Sequence, residues 1–209
     1  MSQKSALVIF TEGAEEMETV ITVDVLRRGG VDVTLAGVCG TSPVKCSRSV
    51  VVVPDASLAD AVKSGKSYDA VVLPGGLPNA KSLAASAEVG DVLRAQESAG
   101  RLCAAICAST IAFASHGIAK GKRVTSHPSV REQIEKSGGG YQYTESRVEH
   151  DGQHVTSRGP GTAMEFGLKL VELLVDAEKA DSLKAPMLCA PAMPCHPFGW
   201  YPKFIGLDD

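Results

Sequence analysis

The chain has 209 residues, enough for one domain with a substantial core and too few for a second full domain. Charged residues make up 22% of the sequence, the formal net charge is -3 and the basic residues are scattered, which argues against a dedicated nucleic-acid site. No segment approaches the roughly 18–20 apolar residues of a membrane helix, and the first residues lack the apolar core of a signal peptide. We therefore expect the six cysteines to be reduced thiols. The cytoplasm is the expected location, with the nucleus and the mitochondrion as further candidates.

The first forty residues alternate strand and helix patterns. Residues 5–10 form an apolar run typical of a buried strand, and a turn at Gly13 follows. A helix is predicted for about residues 15–28, because glutamates occupy its first turn and arginines its last, as the helix dipole favours. Residues 31–38 form a second strand. This strand, helix, strand succession predicts a right-handed βαβ unit and hence a parallel sheet.

The same alternation continues through the rest of the chain. The predicted elements are a strand at 69–73 ending in Pro74-Gly75-Gly76, a helix at about 79–99, a strand at 102–106 ending at Cys107, a short strand at 123–126, a helix opened by a capping box at 129–132, a hairpin turned at 149–152, and a long helix opened by a second capping box at Thr162 and running to about Val175. Together they predict an α/β fold, a flavodoxin-like doubly wound sandwich with a mostly parallel central sheet.

The last twenty residues differ in composition from the rest. Residues 190–209 are rich in proline and aromatic side chains, so they fit neither a regular helix nor a central strand. We predict one domain over residues 1–189 followed by this extension. Because exposed apolar rings are unfavourable in water, the extension is expected to pack on the protein's own surface or on a partner.

Cys107 lies where the predicted strand 102–106 ends and a helical pattern begins. A side chain at that point projects from the carboxyl edge of the sheet, where open α/β folds keep their sites. The N–H groups of a following helix favour a thiolate. The alternative is a small buried hydrophobic residue, which is what most free cysteines are.

Other polar groups follow neighbouring strands and are expected to meet Cys107 at this edge. Glu18 is a candidate general acid or base, with a solvated first-turn carboxylate as the favoured alternative. The N–H groups of Gly75-Gly76 and of Ala108 are candidates for an oxyanion hole, with an ordinary tight turn as the alternative. His127 is a candidate base for a Cys/His pair, with a hydrogen-bonded structural histidine as the favoured alternative.

Two weaker patterns complete the candidates. Cys195-His196 contains two metal-ligand types, but no convincing further ligands accompany them, so no metal site is predicted. Gly159-Pro160-Gly161 precedes the last long helix and is able to bind an anion there, although a plain loop is the favoured interpretation.

Six ordered motifs closely resemble one family over residues 4–189, the DJ-one/PfpI superfamily in its Parkinson-disease protein deglycase branch. They are GAEEME at 13–18, VKCSR at 44–48, LPGG at 73–76, AAICA at 104–108, TSHP at 125–128 and TSRGPGT at 156–162. The resemblance implies a flavodoxin-like homodimer with Cys107 as the reactive cysteine, Glu18 as its hydrogen-bonding partner, and Gly76 and Ala108 as backbone donors. It also implies that Glu15, Arg28 and Arg48 frame the site and the dimer contact.

The activity implied by the resemblance is that of a cofactor-independent glyoxalase or protein deglycase with a role in oxidative-stress protection. Its substrates would be methylglyoxal-type dicarbonyls or their adducts on proteins and nucleotides. The alternative is a redox-sensing or chaperone-like protein whose Cys107 is oxidised to a sulfinate. A cysteine peptidase ranks last, because Ala108 stands where the protease-like branch has histidine.

Two further departures from close relatives limit what the resemblance implies. Ser109-Thr110 replaces a small residue and a proline, a change at the entry to the following helix. Val53 stands where vertebrate relatives often have a second cysteine, so redox behaviour of that position does not carry over.

Overall fold

The computed structural model describes residues 3–189 and is built around one seven-stranded sheet. In chain order the elements are β1 (Ser5–Phe10), α1 (Glu16–Arg28), β2 (Asp32–Gly37), β3 (Val44–Lys45), β4 (Val51–Val52), β5 (Ala56–Ser57), α2 (Leu58–Lys63), β6 (Ala70–Leu73), α3 (Leu77–Ala85), α4 (Ala87–Ser98), β7 (Leu102–Ile106), α5 (Thr110–His116), β8 (Arg123–Val124), α6 (Arg131–Glu135), β9 (Gln142–Tyr143), β10 (Val148–Asp151), β11 (His154–Ser157), α7 (Ala163–Leu174) and α8 (Ala177–Lys184).

The central sheet has the strand order β10-β11-β7-β6-β1-β2-β5. All neighbouring pairs are parallel except β10 and β11, which form the predicted antiparallel hairpin. Its turn lies at residues 152–153 and not at 149–152, because residues 149–151 pair in β10. Strands β1 and β6 are buried along their whole length, which explains why their sequences are continuous apolar runs instead of alternating patterns. The predicted flavodoxin-like α/β fold with a mostly parallel sheet is confirmed.

Helices cover both faces of this sheet. On one face α1 packs against α7, and on the other α3 packs against α5. The close approach of α1 and α7 depends on Gly167, because a Cβ atom there would lie only 2.9 Å from Cβ of Val25. The parallel strands all present their carboxyl ends at one edge, and the loops that follow β1, β6 and β7 meet there.

The helix predicted for residues 79–99 is wrong as a single element, because it is divided into α3 and α4. Ser86 separates them in an extended conformation, and its hydroxyl accepts a hydrogen bond of 3.3 Å from the Val89 N–H. Serine favours this capping position because its side chain competes for backbone groups inside a helix. Helix α8 was not predicted, and the strand at 123–126 is shorter than predicted and pairs with β9 outside the central sheet.

Both predicted capping boxes are wrong, because each belongs to a 3-10 turn that precedes the helix. Ser129 lies inside the turn 128–130, and its N–H donates to Nδ1 of His127 at 3.2 Å. The Thr162 hydroxyl bonds the N–H of Gly159 at 3.1 Å and its carbonyl at 2.9 Å, so it closes the turn and makes no cap on α7.

The prediction that residues 190–209 pack on a surface lies outside the described residues, as does the Cys195-His196 pair. The domain boundary at residue 189 stays a prediction. Within residues 3–189, no helix combines the length and the apolar character that crossing a bilayer requires.

Candidate active site

Cys107 is the first residue after β7 and lies at the carboxyl edge of the sheet. Its φ is +64°, a left-handed conformation that costs a non-glycine residue about 1–2 kcal/mol. The Cys107 carbonyl accepts a hydrogen bond of 3.1 Å from the His127 N–H, which helps to hold the turn. The side chain is only 8% exposed. A strained cysteine in a tight turn is the kind of outlier that accumulates at functional sites.

Glu18 lies in the first turn of α1 and is completely buried, so the solvated alternative considered for it is wrong. Its Oε2 accepts a hydrogen bond of 2.7 Å from the Gly75 N–H. Its Oε1 is buried without a hydrogen bond from any N–H or O–H group of the described residues. The Cys107 thiol interacts with this carboxyl group. The fold therefore brings a carboxyl and a thiol from distant parts of the chain into one buried pair.

Burial shifts the titration of both groups. It raises the pKa of Glu18 from 4.5 to about 7, although hydrogen bonds from the thiol and from Gly75 act in the opposite direction. Burial and the negative charge of Glu18 raise the pKa of Cys107 from 9.0 to about 12, against the effect of the Ala108 and Gly76 N–H groups. The thiolate-favouring effect predicted for the helix end is therefore outweighed by burial. Between these two pKa values the pair holds one proton.

The backbone N–H groups of Gly76 and Ala108 hydrogen-bond the Cys107 sulfur and favour its charged form. Gly76 has a φ of +91°, which only glycine adopts without strain. Gly75 is required by space, because a Cβ atom there would lie 2.5 Å from Cβ of Cys107 and 2.3 Å from Oε2 of Glu18. The loop that contains these glycines thus contacts both members of the buried pair.

Glu15 and Arg48 lie at the same edge of the fold. Glu15 caps α1: its Oε2 accepts from the Glu18 N–H at 2.8 Å, and its own N–H donates to the Gly75 carbonyl at 2.9 Å. The Arg48 N–H donates to Oε1 of Glu16 at 2.7 Å, and the Ser47 hydroxyl donates to Oε2 at 2.7 Å. Glu16 therefore anchors the loop of Arg48 to the start of α1.

Arg28 lies far from Glu18 of the same protomer. It is the last residue of α1, ten residues beyond Glu18, which corresponds to roughly 15 Å along a helix axis. Its guanidinium pairs with Asp24 at 2.7 Å. A helix carries its two ends to opposite edges of the sheet, so the start and the end of α1 do not share a site in one protomer. A dimer contact of Arg28 stays a prediction.

His127 lies at the rim of the site with an exposed imidazole. Its Nδ1 hydrogen-bonds the Ser129 hydroxyl at 2.8 Å, and the ring makes no hydrogen bond with the Cys107 thiol. A Cβ atom on Gly159 would lie 3.7 Å from Cδ2 of His127 and 4.0 Å from Oε1 of Glu18, so the loop of Gly159 closes the same site. Residues 3–189 contain no cluster of three or more His, Cys, Asp or Glu side chains able to hold a metal ion.

Sequence reasoning missed two buried polar residues at this edge, Asn79 and Ser109. Both are fully buried, and both donate to the Pro74 carbonyl, at 2.8 Å from Nδ2 of Asn79 and 2.6 Å from Oγ of Ser109. In the sequence each is a polar residue beside a helix start, a pattern that also fits a solvated position. Glu16 belongs to the GAEEME motif, but it was not identified as an anchor, because a glutamate in the first turn of a helix also fits a solvated position.

Comparison with known proteins agrees with this architecture. The model of the DJ-1/PfpI family matches residues 4–173. The Parkinson disease protein 7 homolog of Danio rerio is 53% identical over 188 residues, covering 90% of this chain and 98% of that protein. The glutathione-independent glyoxalase DJR-1.2 of Caenorhabditis elegans is 43% identical over 190 residues, with coverage of 90% and 98%. The crystal structure of Drosophila melanogaster DJ-1beta superposes with a TM-score of 0.86 at 49% identity, covering 91% of this chain and all of that one. The chain therefore belongs to the DJ-1/PfpI family, in the branch that contains the Parkinson disease protein 7 homologues.

Proposed function

We propose that this protein is a cofactor-independent glyoxalase or deglycase that acts on methylglyoxal-type dicarbonyls, or on their adducts with proteins and nucleotides, through Cys107. The observation that carries the proposal is the buried pair of the Cys107 thiol and the Glu18 carboxyl, with the Gly76 and Ala108 N–H groups directed at the sulfur. The relative from Caenorhabditis elegans that is named a glutathione-independent glyoxalase supports this reaction class.

The first step is addition of the thiol to the aldehyde. Glu18 accepts the Cys107 proton, and the resulting thiolate forms a C–S bond to the aldehyde carbon of methylglyoxal. The carbonyl π electrons move to oxygen, whose charge is stabilised by the N–H groups of Gly76 and Ala108. Glu18 then returns its proton to this oxygen, which gives a neutral hemithioacetal and a carboxylate ready to act as a base.

The second step moves a proton between neighbouring carbons. The Glu18 carboxylate removes the proton from the former aldehyde carbon, and the electron pair forms an enediolate with the adjacent ketone. Glu18 protonates the adjacent carbon, and the proton of the hemithioacetal hydroxyl passes to the former ketone oxygen, which gives the lactate thioester of Cys107. Water then cleaves the C–S bond, releasing lactate and the thiol. The sum is methylglyoxal plus water to lactate, so one carbon is oxidised, its neighbour is reduced, and no external oxidant is required.

Two parts of the proposal concern partners. The same addition to a hemithioacetal or hemiaminal already formed on a protein or nucleotide would appear as deglycation. We also propose a homodimer, because apolar side chains at the start of α1 and around β4 are exposed, and the Ser47–Glu16 bond joins these regions. These exposed residues are Met17, Val20, Val50, Val51 and Val53.

The test is conversion of methylglyoxal to lactate by the purified chain without glutathione and with a metal chelator present. In D2O we expect the lactate to carry solvent deuterium at the carbon next to the carboxylate, because a carboxylic acid exchanges its proton with solvent. Mass spectrometry and proton NMR measure both results, with buffer lacking the chain as the control. Absence of lactate would contradict the proposed activity. Lactate without deuterium would contradict the enediolate step.

A second candidate function is redox sensing by Cys107. It is favoured by Oε1 of Glu18, which is buried and accepts no hydrogen bond from an N–H or O–H group of the described residues. Two equivalents of peroxide convert a thiolate to a sulfinate and two water molecules. Because burial raises the pKa of Glu18 to about 7, its protonated carboxyl is available to donate to a sulfinate oxygen. Peroxide titration followed by peptide mass spectrometry should show sulfinate at Cys107 before the exposed Cys39 is oxidised. The reverse order would eliminate this role.

A further inference from the structure

Asn79 lies in the first turn of α3, and its amide connects three backbone groups. Its Oδ1 accepts from the Thr11 N–H at 2.8 Å, and its Nδ2 donates to the Pro74 carbonyl at 2.8 Å and to the Gly75 carbonyl at 3.0 Å. The side chain is fully buried. One amide thus ties the end of β1 to the loop that follows β6, and it uses one acceptor and two donors, which a carboxylate of the same shape is unable to supply.

The two carbonyls that Asn79 holds belong to the two peptide groups that face the buried pair. In a trans peptide the C=O and the N–H point in opposite directions in one plane, and no peptide bond is cis among the described residues. Fixing the Pro74 carbonyl therefore aims the Gly75 N–H, which donates to Oε2 of Glu18 at 2.7 Å. Fixing the Gly75 carbonyl likewise aims the Gly76 N–H, which hydrogen-bonds the Cys107 sulfur.

We propose that Asn79 is a positioning residue for the reaction, holding the Gly75 and Gly76 peptide groups so that one N–H points at Glu18 and the other at Cys107. Ser109 assists, because its buried hydroxyl donates to the same Pro74 carbonyl at 2.6 Å. The kinetic part of this inference rests on the proposed function. The part that concerns Cys107 reactivity does not.

This orientation matters because both glycines lack a side chain and rotate easily about their backbone bonds. Without the Asn79 donors, the Pro74 carbonyl would keep only the Ser109 hydroxyl and the Gly75 carbonyl only the Glu15 N–H. With one bond in place of two, each buried carbonyl would be free to rotate about the bond that remains. Rotation of a carbonyl turns the N–H of the same peptide group as well. The Gly75 N–H would then point away from Glu18, and the Gly76 N–H away from Cys107. A thiolate that has lost an N–H donor forms at higher pH, and an oxyanion that has lost one is less stabilised.

The test compares Asn79→Asp with Gln96→Glu. Gln96 is a matched control, because its buried Nε2 also donates to two carbonyls, those of Tyr68 at 3.1 Å and Leu102 at 3.2 Å, but contacts neither glycine nor the pair. The main readout is the pH dependence of Cys107 alkylation by iodoacetamide, followed by peptide mass spectrometry. The second readout is kcat and KM for lactate formation, and thermal unfolding measures any loss of stability.

We expect Asn79→Asp to move the alkylation midpoint to higher pH and to lower kcat by about 10–100-fold with little change in KM, somewhat less than the effect of deleting an oxyanion donor. Gln96→Glu should lose stability without moving the midpoint. Equal midpoints in wild type and Asn79→Asp, or equal shifts in both variants, would overturn the proposal.

Two further variants exclude trivial causes. Asn79→Ala removes the donors without adding a charge and should shift the midpoint in the same direction. A shift in Asn79→Asp alone would be an effect of charge and would overturn the proposal. If Asn79→Asp does not fold, Ser109→Ala is measured with Asn79→Ala, with a smaller shift of the same sign expected. If wild type makes no lactate, the proposed function fails, whereas the alkylation profile still tests this inference.

Discussion

The Glu18→Gln variant is expected to form lactate from methylglyoxal about 10³-fold more slowly than the wild-type chain. Glutamine has nearly the same shape, and its amide oxygen still accepts from the Gly75 N–H, which donates to Glu18 at 2.7 Å. It is unable to take a proton from the thiol or from the hemithioacetal carbon. Steady-state rates measured by lactate release, with Cys107→Ser as the reference for complete loss, check this result.

The pH dependence of the same assay separates a proton-transfer role from a structural one. The active form of the pair holds one proton, so the wild-type rate should rise with a midpoint near pH 7, where the buried Glu18 loses its proton, its pKa having been raised by desolvation. The Glu18→Gln variant lacks this group and should lose that limb of the profile. An unchanged limb would show that another residue supplies the base.

The Glu18→Gln variant should gain free energy of unfolding at high pH, although it loses activity. Desolvation raises the pKa of Glu18 to about 7 from the value of 4.5 taken for the unfolded chain. The folded state therefore holds the proton more tightly, and the stability present below pH 4.5 is lost as the pH rises toward 7, by about 3 kcal/mol. Glu18→Gln removes this loss, so urea unfolding at pH 8 should give it a higher free energy of unfolding than wild type.

Glu149→Gln is a matched control with the opposite expected sign. Burial acts against the charged form of Glu149, but hydrogen bonds from Arg123 and Thr144 outweigh it and hold the pKa of this carboxyl below its usual value. Such a group stabilises the fold above the pKa of the unfolded state. Its replacement should therefore lower the free energy of unfolding at pH 8 and leave lactate formation intact. Destabilisation by both variants would contradict the interpretation of Glu18 as a strained, buried acid.

Local sequence patterns predicted six of the seven strands of the central sheet, all but β5, and placed Cys107 and Glu18 among the candidate site residues. The strands β1, β6 and β7 are continuous apolar runs because both of their faces are buried, and their ends are marked by Gly13, by Pro74-Gly75-Gly76 and by Cys107. Parallel strands place those ends at one edge, so the meeting of Glu18 and Cys107 follows from topology. The family motifs added the pairing of these two residues.

What local patterns did not reveal depends on contacts between distant segments. Asn79 bonds Thr11, which is 68 residues away in the sequence, and Ser109 bonds Pro74, which is 35 away. The direction of the Cys107 pKa shift depends on how completely the pair is buried, a property of the packed site. The resemblance implied that Arg28 frames the site and the dimer contact, and the length of α1 places it far from Glu18 of the same protomer.

The Gly76→Ala variant is expected to lose both stability and activity. Gly76 has a φ of +91°, and a Cβ atom there would lie 2.1 Å from the Gly13 carbonyl oxygen and 2.7 Å from the Glu15 backbone nitrogen. These are backbone atoms, so no side-chain rotation relieves the contact. We expect the free energy of unfolding to fall by at least about 3 kcal/mol. Lactate formation should fall by about 10²-fold or more, because the displaced Gly76 N–H no longer reaches the Cys107 sulfur.

Gly161→Ala provides the comparison, since a Cβ atom at Gly161 would have no described atom within 4 Å and the φ of this glycine is not in the left-handed region. Its free energy of unfolding should stay within about 0.5 kcal/mol of wild type, and its activity should be retained. Urea unfolding and the lactate assay on both variants test the pair of predictions. Full stability in Gly76→Ala would mean that the loop has room for a side chain. Full activity in the same variant would remove Gly76 from the oxyanion site, leaving the Ala108 N–H as the remaining donor to the Cys107 sulfur.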